Sequence, residues 1–199
     1  SFGAIVFKTS SEPISSLVRV LFSSVAIPPT LLQPFYTLTE LMGGVDVVWR
    51  TSSGKFVKLP GLLEKPGWFI QVMGEKLPLE NQAVISKQID EKKIGPMIIF
   101  DESRQDDPNV LQKISDRLAF EIDLINVRHC DFKPAKPSPF DNENHQSHIT
   151  SNQQEALTIA AVKLGVYSIR PVIMAQNAAK SLASLSGRDL VSSSDLELA

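Results

Sequence analysis

The residues KTSSEPISS, 8–16, have the makings of a phosphate cradle. Ahead of them the apolar run AIVF (4–7) reads as a buried strand. Behind them residues 14–25 read as a helix, with Pro13 where a first helical turn accepts proline. A strand, a tight loop and a helix N-terminus, in that order, aim backbone N–H groups and the positive end of a helix dipole at an anion. Chemistry on a bound phosphate also needs glycines for close backbone approach and a lysine for the β- and γ-phosphates. This loop has no glycine, and Ile14 sits near the lysine's place. On residue types alone it is either an unrelated turn or a phosphate loop stripped of its chemistry.

Three other groups carry reactive or ligating side chains. Asp101, Glu102, Asp106 and Asp107 follow the apolar run MIIF (97–100), and carboxylates at the carboxyl end of a parallel strand can bind Mg²⁺. The same four also read as a charged, water-facing loop. His145 and His148, among Asp141, Glu143 and Asn144, offer metal donors. Their spacing is loose and nothing rigid supplies a third ligand, so the stretch reads as solvated loop. Cys130 stands beside His129, but adjacency in sequence is weak evidence for an activated thiol. None of the three groups names a function.

The elements that must position these residues follow from the rest of the chain. Its 199 residues, 43% hydrophobic and 21% charged, suit one domain or a domain with a small satellite. A net charge of −2 gives no basic footprint for nucleic acid. A single cysteine leaves no internal disulfide and no Cys-cluster metal site, and it fits a reducing cytoplasm. No apolar run approaches the ~20 residues of a membrane span, and no signal-peptide pattern is visible. The chain opens on a strand and closes at DLELA in mid-helix, which reads as a piece of a longer protein.

Short apolar strands at 4–7, 67–72, 97–100 and 120–124 alternate with helical patterns at 14–25, 37–47, 79–91 and 109–118. Residues 27–34 read as an irregular connector, and 56–59 as extended. That alternation argues for a parallel sheet with helices on its faces. Composition then shifts: Pro134, Pro137 and Pro139 followed by DNENHQSH read as a linker. Everything beyond is helical. Residues 153–164 end at Gly165. Residues 169–186 carry an inward face of Val172, Ala175, Ala179, Leu182 and Leu185 and stop at Gly187, a C-cap glycine. SDLE (194–197) fits a capping box. The domain division is therefore an α/β domain over 1–127, a linker over 128–151 and a small helical domain over 152–199.

Taken in order, GGVDV (43–47), LPGLL (59–63) leading into GWFI (67–70), SDRLAFEIDL (115–124) and RPVIMAQNAAKSLASLSGRDLVSSSDLELA (170–199) resemble the AAA+ module of magnesium chelatase. The likeness is strongest to the D subunit, in the degenerate form of purple photosynthetic bacteria, and it runs from Gly3 to the last residue. It implies a P-loop-type AAA+ parallel sheet flanked by helices, followed by a small all-helical lid. Active members end their phosphate loop in Gly-Thr-Ala-Lys-Ser or similar. Counted back from Arg19, Ser11 replaces the last glycine, Ile14 replaces the lysine, and Ser15 keeps a hydroxyl at the magnesium-ligand position. Their second nucleotide motif ends in Asp-Glu, where this chain has Val72 and Met73. Ser103 is nearest the polar sensor asparagine. The lysine acts as a charge on phosphate and the Asp holds Mg²⁺; isoleucine and valine can do neither. The resemblance thus implies no cofactor and no metal in cis, and no ATP hydrolysis by this chain alone.

Two arginines survive. Arg117 matches the family's arginine near the subunit interface, and Arg170 matches the lid's sensor arginine. The resemblance gives both a role in trans, on MgATP held by the partner I subunit; by residue type alone they read as ion-pair residues. It implies a cytoplasmic, hetero-oligomeric ring with the I subunit and the porphyrin-binding H subunit, built head to tail. The complex is an ATP-dependent ligase that inserts Mg²⁺ into protoporphyrin IX for bacteriochlorophyll and photosynthesis. Here the acidic insertion before GGVDV is missing, and the hairpin before MIIF is cut to DEKKIGP (90–96). The Pro-rich acidic linker and integrin-like metal-binding domain of the full subunit do not follow, so no metal site comes from them. Two rivals stand beside this reading: an active ATPase in which Lys8 supplies the missing charge, and a AAA+-derived adaptor unrelated to tetrapyrroles.

Overall fold

The computed structural model describes residues 3–9, 16, 28–45, 58–103, 111–127, 147–166 and 168–199. The chain divides into two compact units, with the boundary between positions 131 and 132. Apart from residue 16, the expected helix at 14–25 lies outside the described residues, as does most of the Pro-rich linker.

The first unit is built on a five-stranded parallel sheet. Its strands are β1 (Ala4–Lys8), β2 (Thr30–Leu32), β5 (Phe69–Gln71), β6 (Met97–Asp101) and β7 (Leu118–Asp123), in the spatial order β2-β5-β6-β1-β7. Registers run Ala4 to Met97 and Lys8 to Asp101 on one side of β1, and Lys8 to Asp123 on the other. Central strands buried on both faces must be apolar at successive positions rather than alternating. Hence every residue of β6 is buried. Between β5 and β6 runs helix α2 (Leu79–Asp90). Its Ile85 joins Val6, Leu32, Phe69, Met97 and Ile99 in the core, and Phe7 stacks on Phe100 with ring centroids 5.7 Å apart.

Three local expectations give way. The 27–34 stretch contains β2, an edge strand that three residues are enough to form because β5 supplies its ladder. The 37–47 helix is cut to α1 (Leu38–Met42), and the chain turns directly into β3 (Gly43–Val45). Gly43 decides this. It has φ +75, and a Cβ there would stand 2.3 Å from Leu59 O, while one on Gly61 would stand 2.4 Å from Gly43 N. Only glycines allow that approach, and it lets β3 pair antiparallel with β4 (Lys58–Pro60). GGVDV and LPGLL therefore meet in one ribbon. Finally, the described part of the 109–118 helix is turn followed by a 3₁₀ segment, Ser115–Arg117.

The second unit is all helical: α3 (Ser151–Lys163), α4 (Ile169–Leu185) and α5 (Ser193–Leu198). Thr150, Ser168 and Ser192 each cap a helix N-terminus with the side-chain oxygen. The buried stripe of α4 is Val172, Ala178, Ala179 and Ala183, whereas Leu182 is half-buried and Leu185 exposed. Small residues turn inward because Val191 and Leu196 pack directly on Ala179 and Ala183, and a leucine there would hold them off. Residues 147–150 belong to this unit: His148 bridges in parallel to Leu190, its N–H donating to Asp189 O at 2.8 Å, and Ser147 Oγ donates to Arg188 O at 2.6 Å.

The last capping box uses Ser192 and Asp195, two residues before the SDLE expected from sequence. The reason is Arg188, whose Nη1 and Nη2 each donate to Asp195 at 2.8 Å while Ser192 N–H donates to the same carboxylate at 2.8 Å. The Arg188 guanidinium first, then the Ser192 amide, hold the Asp195 carboxyl well below the usual carboxylate range. A folded-state pKa that is depressed contributes stability in full above the unfolded value of about 3.9. That contribution is lost as pH falls from there through the folded value. Wild-type Tm is therefore expected to fall more steeply between pH 5 and strong acid than that of Asp195→Asn, the two curves converging at the acid end. Parallel curves in circular-dichroism melts would show that the pair does not hold the unit together.

Candidate functional site

The carboxyl ends of β1, β5 and β6 lie side by side, which is where ligands bind to open parallel sheets. Thr9 N–H donates to Asp101 O at 2.9 Å. From β5 the chain passes through buried Val72 to Met73, at φ 49 and ψ 55. That left-handed conformation costs a non-glycine residue roughly 1–2 kcal/mol. It swings the chain into the turn Gly74–Lys76, where a Cβ on Gly74 would come within 2.6 Å of Ile99 Cγ2. The turn delivers Glu75 to the end of β6, and Glu102 N–H donates to Glu75 Oε2 at 3.1 Å. Asp101 is buried and its Oδ1 accepts from Ser103 N–H at 2.9 Å. Thr9 Oγ1 is buried with no hydrogen-bond partner among the described residues.

The chemistry of this face is limited. Val72 has no donor atom, and Met73 offers a thioether, with Lys76 Nζ 3.7 Å from its sulfur; neither is a ligand for a hard cation. Glu75 and Asp101 hold backbone amides of the loop after β6. Among the described residues no group of three or more His, Cys, Asp and Glu side chains is placed to hold a metal. Lys8 pairs across the sheet with Glu121 on β7. Its pKa is raised chiefly by that hydrogen bond, with Asp101 and Asp123 adding to it. Ser11, Ile14 and Ser15 lie outside the described residues, as do Asp106, Asp107, His129, Cys130, Asp141, Glu143, Asn144 and His145. His148 lies in the second unit and is engaged through its backbone.

Arg117 sits at the other end of the sheet. It immediately precedes β7, the edge strand, and its neighbour Leu118 is level with Ala4 at the start of β1. Strands rise about 3.3 Å per residue, so roughly 16 Å of sheet separates it from the Lys8–Asp123 level. The structure thus places Val72, Met73 and Ser103 on one face of the sheet unit and Arg117 on another. The Arg117 side chain is 16% exposed, and its guanidinium makes a two-point contact with Asp90, Nε to Oδ1 at 3.2 Å and Nη2 to Oδ2 at 2.6 Å. It borders a cleft of ≈ 460 Å³ lined by Ser86, Lys87, Asp90, Glu91 and Lys113. Asp90 and Glu75 were not singled out from sequence. The available signal for Asp90 was an acid in the last turn of a helix, against the macrodipole.

Arg170 is the second residue of α4, and its N–H donates to Ser168 Oγ at 3.4 Å. A cation in a first turn faces the positive end of the dipole, so helix stability does not account for it.

Residues 154–199, which include Arg170, match the family described as AAA lid domain. The chain is 28% identical over 201 residues to the Magnesium-chelatase 60 kDa subunit of Rhodobacter capsulatus, covering 98% of this chain and 36% of that protein. It therefore spans about a third of the length of that relative. A crystal structure of a candidate ATPase from Cytophaga hutchinsonii superimposes with a TM-score of 0.68, covering 99% of this chain and 75% of that one, at 15% identity. The chain has the AAA+ fold. The parallel sheet ordered β2-β5-β6-β1-β7 and the all-helical C-terminal unit are the two parts of that fold. Within it, the lid match begins inside α3, whereas hydrogen bonding in the unit already begins at Ser147. No helix among the described residues is long and apolar enough to cross a membrane.

Proposed function

We propose that this chain is the AAA+ module of a magnesium chelatase subunit that does not hydrolyse ATP itself. It serves as a platform for the ATP-hydrolysing I subunit and couples it to the porphyrin-binding H subunit. The assembly inserts Mg²⁺ into protoporphyrin IX, in the cytoplasm, at the first step committed to bacteriochlorophyll. The similarity to a chelatase subunit supports the reaction. One observation supports the platform role: at the end of β5, where a nucleotide-hydrolysing relative would hold its magnesium ligands, stand Val72 and Met73. The nearest carboxylates are occupied with backbone amides instead.

The rival in which Lys8 replaces the missing lysine is disfavoured by its pairing with Glu121 on the neighbouring strand. An ammonium paired with Glu121, with Asp101 and Asp123 level with Lys8 on the two neighbouring strands, is already neutralised and poorly placed to serve a phosphate. ATP turnover measured with and without the I subunit tests the proposal. The chain alone is expected to show no turnover that scales with its concentration, and no micromolar binding of MgATP by calorimetry. Either signal would return the chain to the class of active ATPases. Failure to co-purify with the I subunit would instead favour an adaptor outside tetrapyrrole metabolism.

A further inference from the structure

We propose that Asp90 is the positioning residue for Arg117. The inference rests on the trans reading of Arg117 and adds to it the group that aims the guanidinium. The contacts from Nε and Nη2 to the two oxygens of Asp90 form a side-on fork. Nη1 donates to Lys113 O at 3.2 Å and lies 3.6 Å from the Asp116 carboxylate. A side-on fork engages Nε and the near edge of Nη2. The end-on edge, formed by Nη1 and Nη2 together, is turned away from Asp90. A planar guanidinium can take two phosphate oxygens along such an edge.

Asp90 is not explained by its own helix. It is the last residue of α2, followed by the acidic C-cap Glu91, at the negative end of the dipole. Its partner comes from 27 residues further along the chain, at the entry to the edge strand. Long side chains lose rotamer freedom when they are held. Asp90 and Lys113 O together remove that freedom from Arg117 before any neighbour arrives. A group held in advance meets developing charge without reorganising.

The test uses the chain assembled with its ATP-hydrolysing partner subunit, carrying Asp90→Asn, Arg117→Lys or both, with Arg117→Ala as reference. A misplacement of about 1 Å can cost on the order of 10²-fold in rate. Asp90→Asn is therefore expected to lower kcat for ATP by about tenfold or more, with KM and assembly unchanged and Tm lowered by no more than the roughly 2–4 °C that loss of one partly exposed pair costs. In the Arg117→Lys background Asp90→Asn is expected to cost nothing further, because lysine offers no fork to aim. If Asp90→Asn turns over at the wild-type rate while Arg117→Ala is impaired, the positioning role is overturned and the trans reading stands. If Arg117→Ala itself turns over normally, both fall. A loss that recurs in full in the Arg117→Lys background marks a structural clamp and overturns the positioning role as well. Should Asp90→Asn melt early or fail to assemble, Asp90→Glu decides by the same rate criteria, since it keeps the carboxylate and only shifts it.

Discussion

Replacing Arg117 by alanine is expected to lower ATP hydrolysis by the assembled complex by ~10³-fold or more, the range for removing an arginine supplied across an interface. Magnesium insertion should fall with it. Among the described residues, the carboxyl ends of the strands, where open parallel sheets bind ligands, lie at the opposite end of the sheet from this side chain. Folding should survive the change. Asp90 is partly exposed and can be solvated once its partner is gone, so the lost pair is worth about 1 kcal/mol. Arg117→Lys should recover little, because an ammonium cannot copy a planar fork. The measurement is ATPase and chelatase activity of reconstituted complexes, with assembly followed by size-exclusion chromatography. Complexes that assemble and work at the wild-type rate would reduce Arg117 to a residue that ties α2 to β7. Complexes that fail to assemble would make it an interface residue.

Phe69→Ala is expected to be the most damaging single truncation in the sheet unit, at ~3–5 kcal/mol. Phe69 is fully buried on β5, between β2 and β6, and belongs to the cluster that holds Leu32, Ile85 and Met97 together. Its backbone N–H also donates to Pro96 O at 2.9 Å, so the strand cannot shift to refill the space without breaking the ladder. Domains are typically stable by only about 5–15 kcal/mol, so such a loss takes up much of the margin. Leu182→Ala in the lid should cost much less, because that side chain is only half-buried. Denaturant melts of the two variants check both statements. A small loss at Phe69 would contradict the central position of β5.

Sequence by itself determined the fold class and most of the sheet. Wholly apolar runs such as MIIF and GWFI have one stable place, the middle of a parallel sheet, and helical patterns between them supply the crossovers. It also determined which side chains are chemically absent. Val72 and Met73 cannot become carboxylates in any fold. Capping chemistry marked the helical unit, yet the box expected over 194–197 gave way to one on Ser192 and Asp195, which Arg188 holds in place.

What needed the tertiary structure was every contact between residues far apart in the chain. No local pattern reveals that Gly43 and Gly61 let two motifs close into a ribbon. A three-residue stretch such as 30–32 has no periodicity to read, and becomes a strand only because β5 lies beside it. The inward face of α4 keeps the expected Val172 and Ala179 but takes in Ala178 and Ala183 rather than Leu182 and Leu185, because helical spacing gives a stripe but not its rotation. That rotation is set by how closely Val191 and Leu196 approach Ala179 and Ala183. The same holds for Arg117. Its type and place were legible, but the carboxylate that orients it lies 27 residues away at the end of another helix, and only packing α2 beside the entry to β7 brings the two charges together.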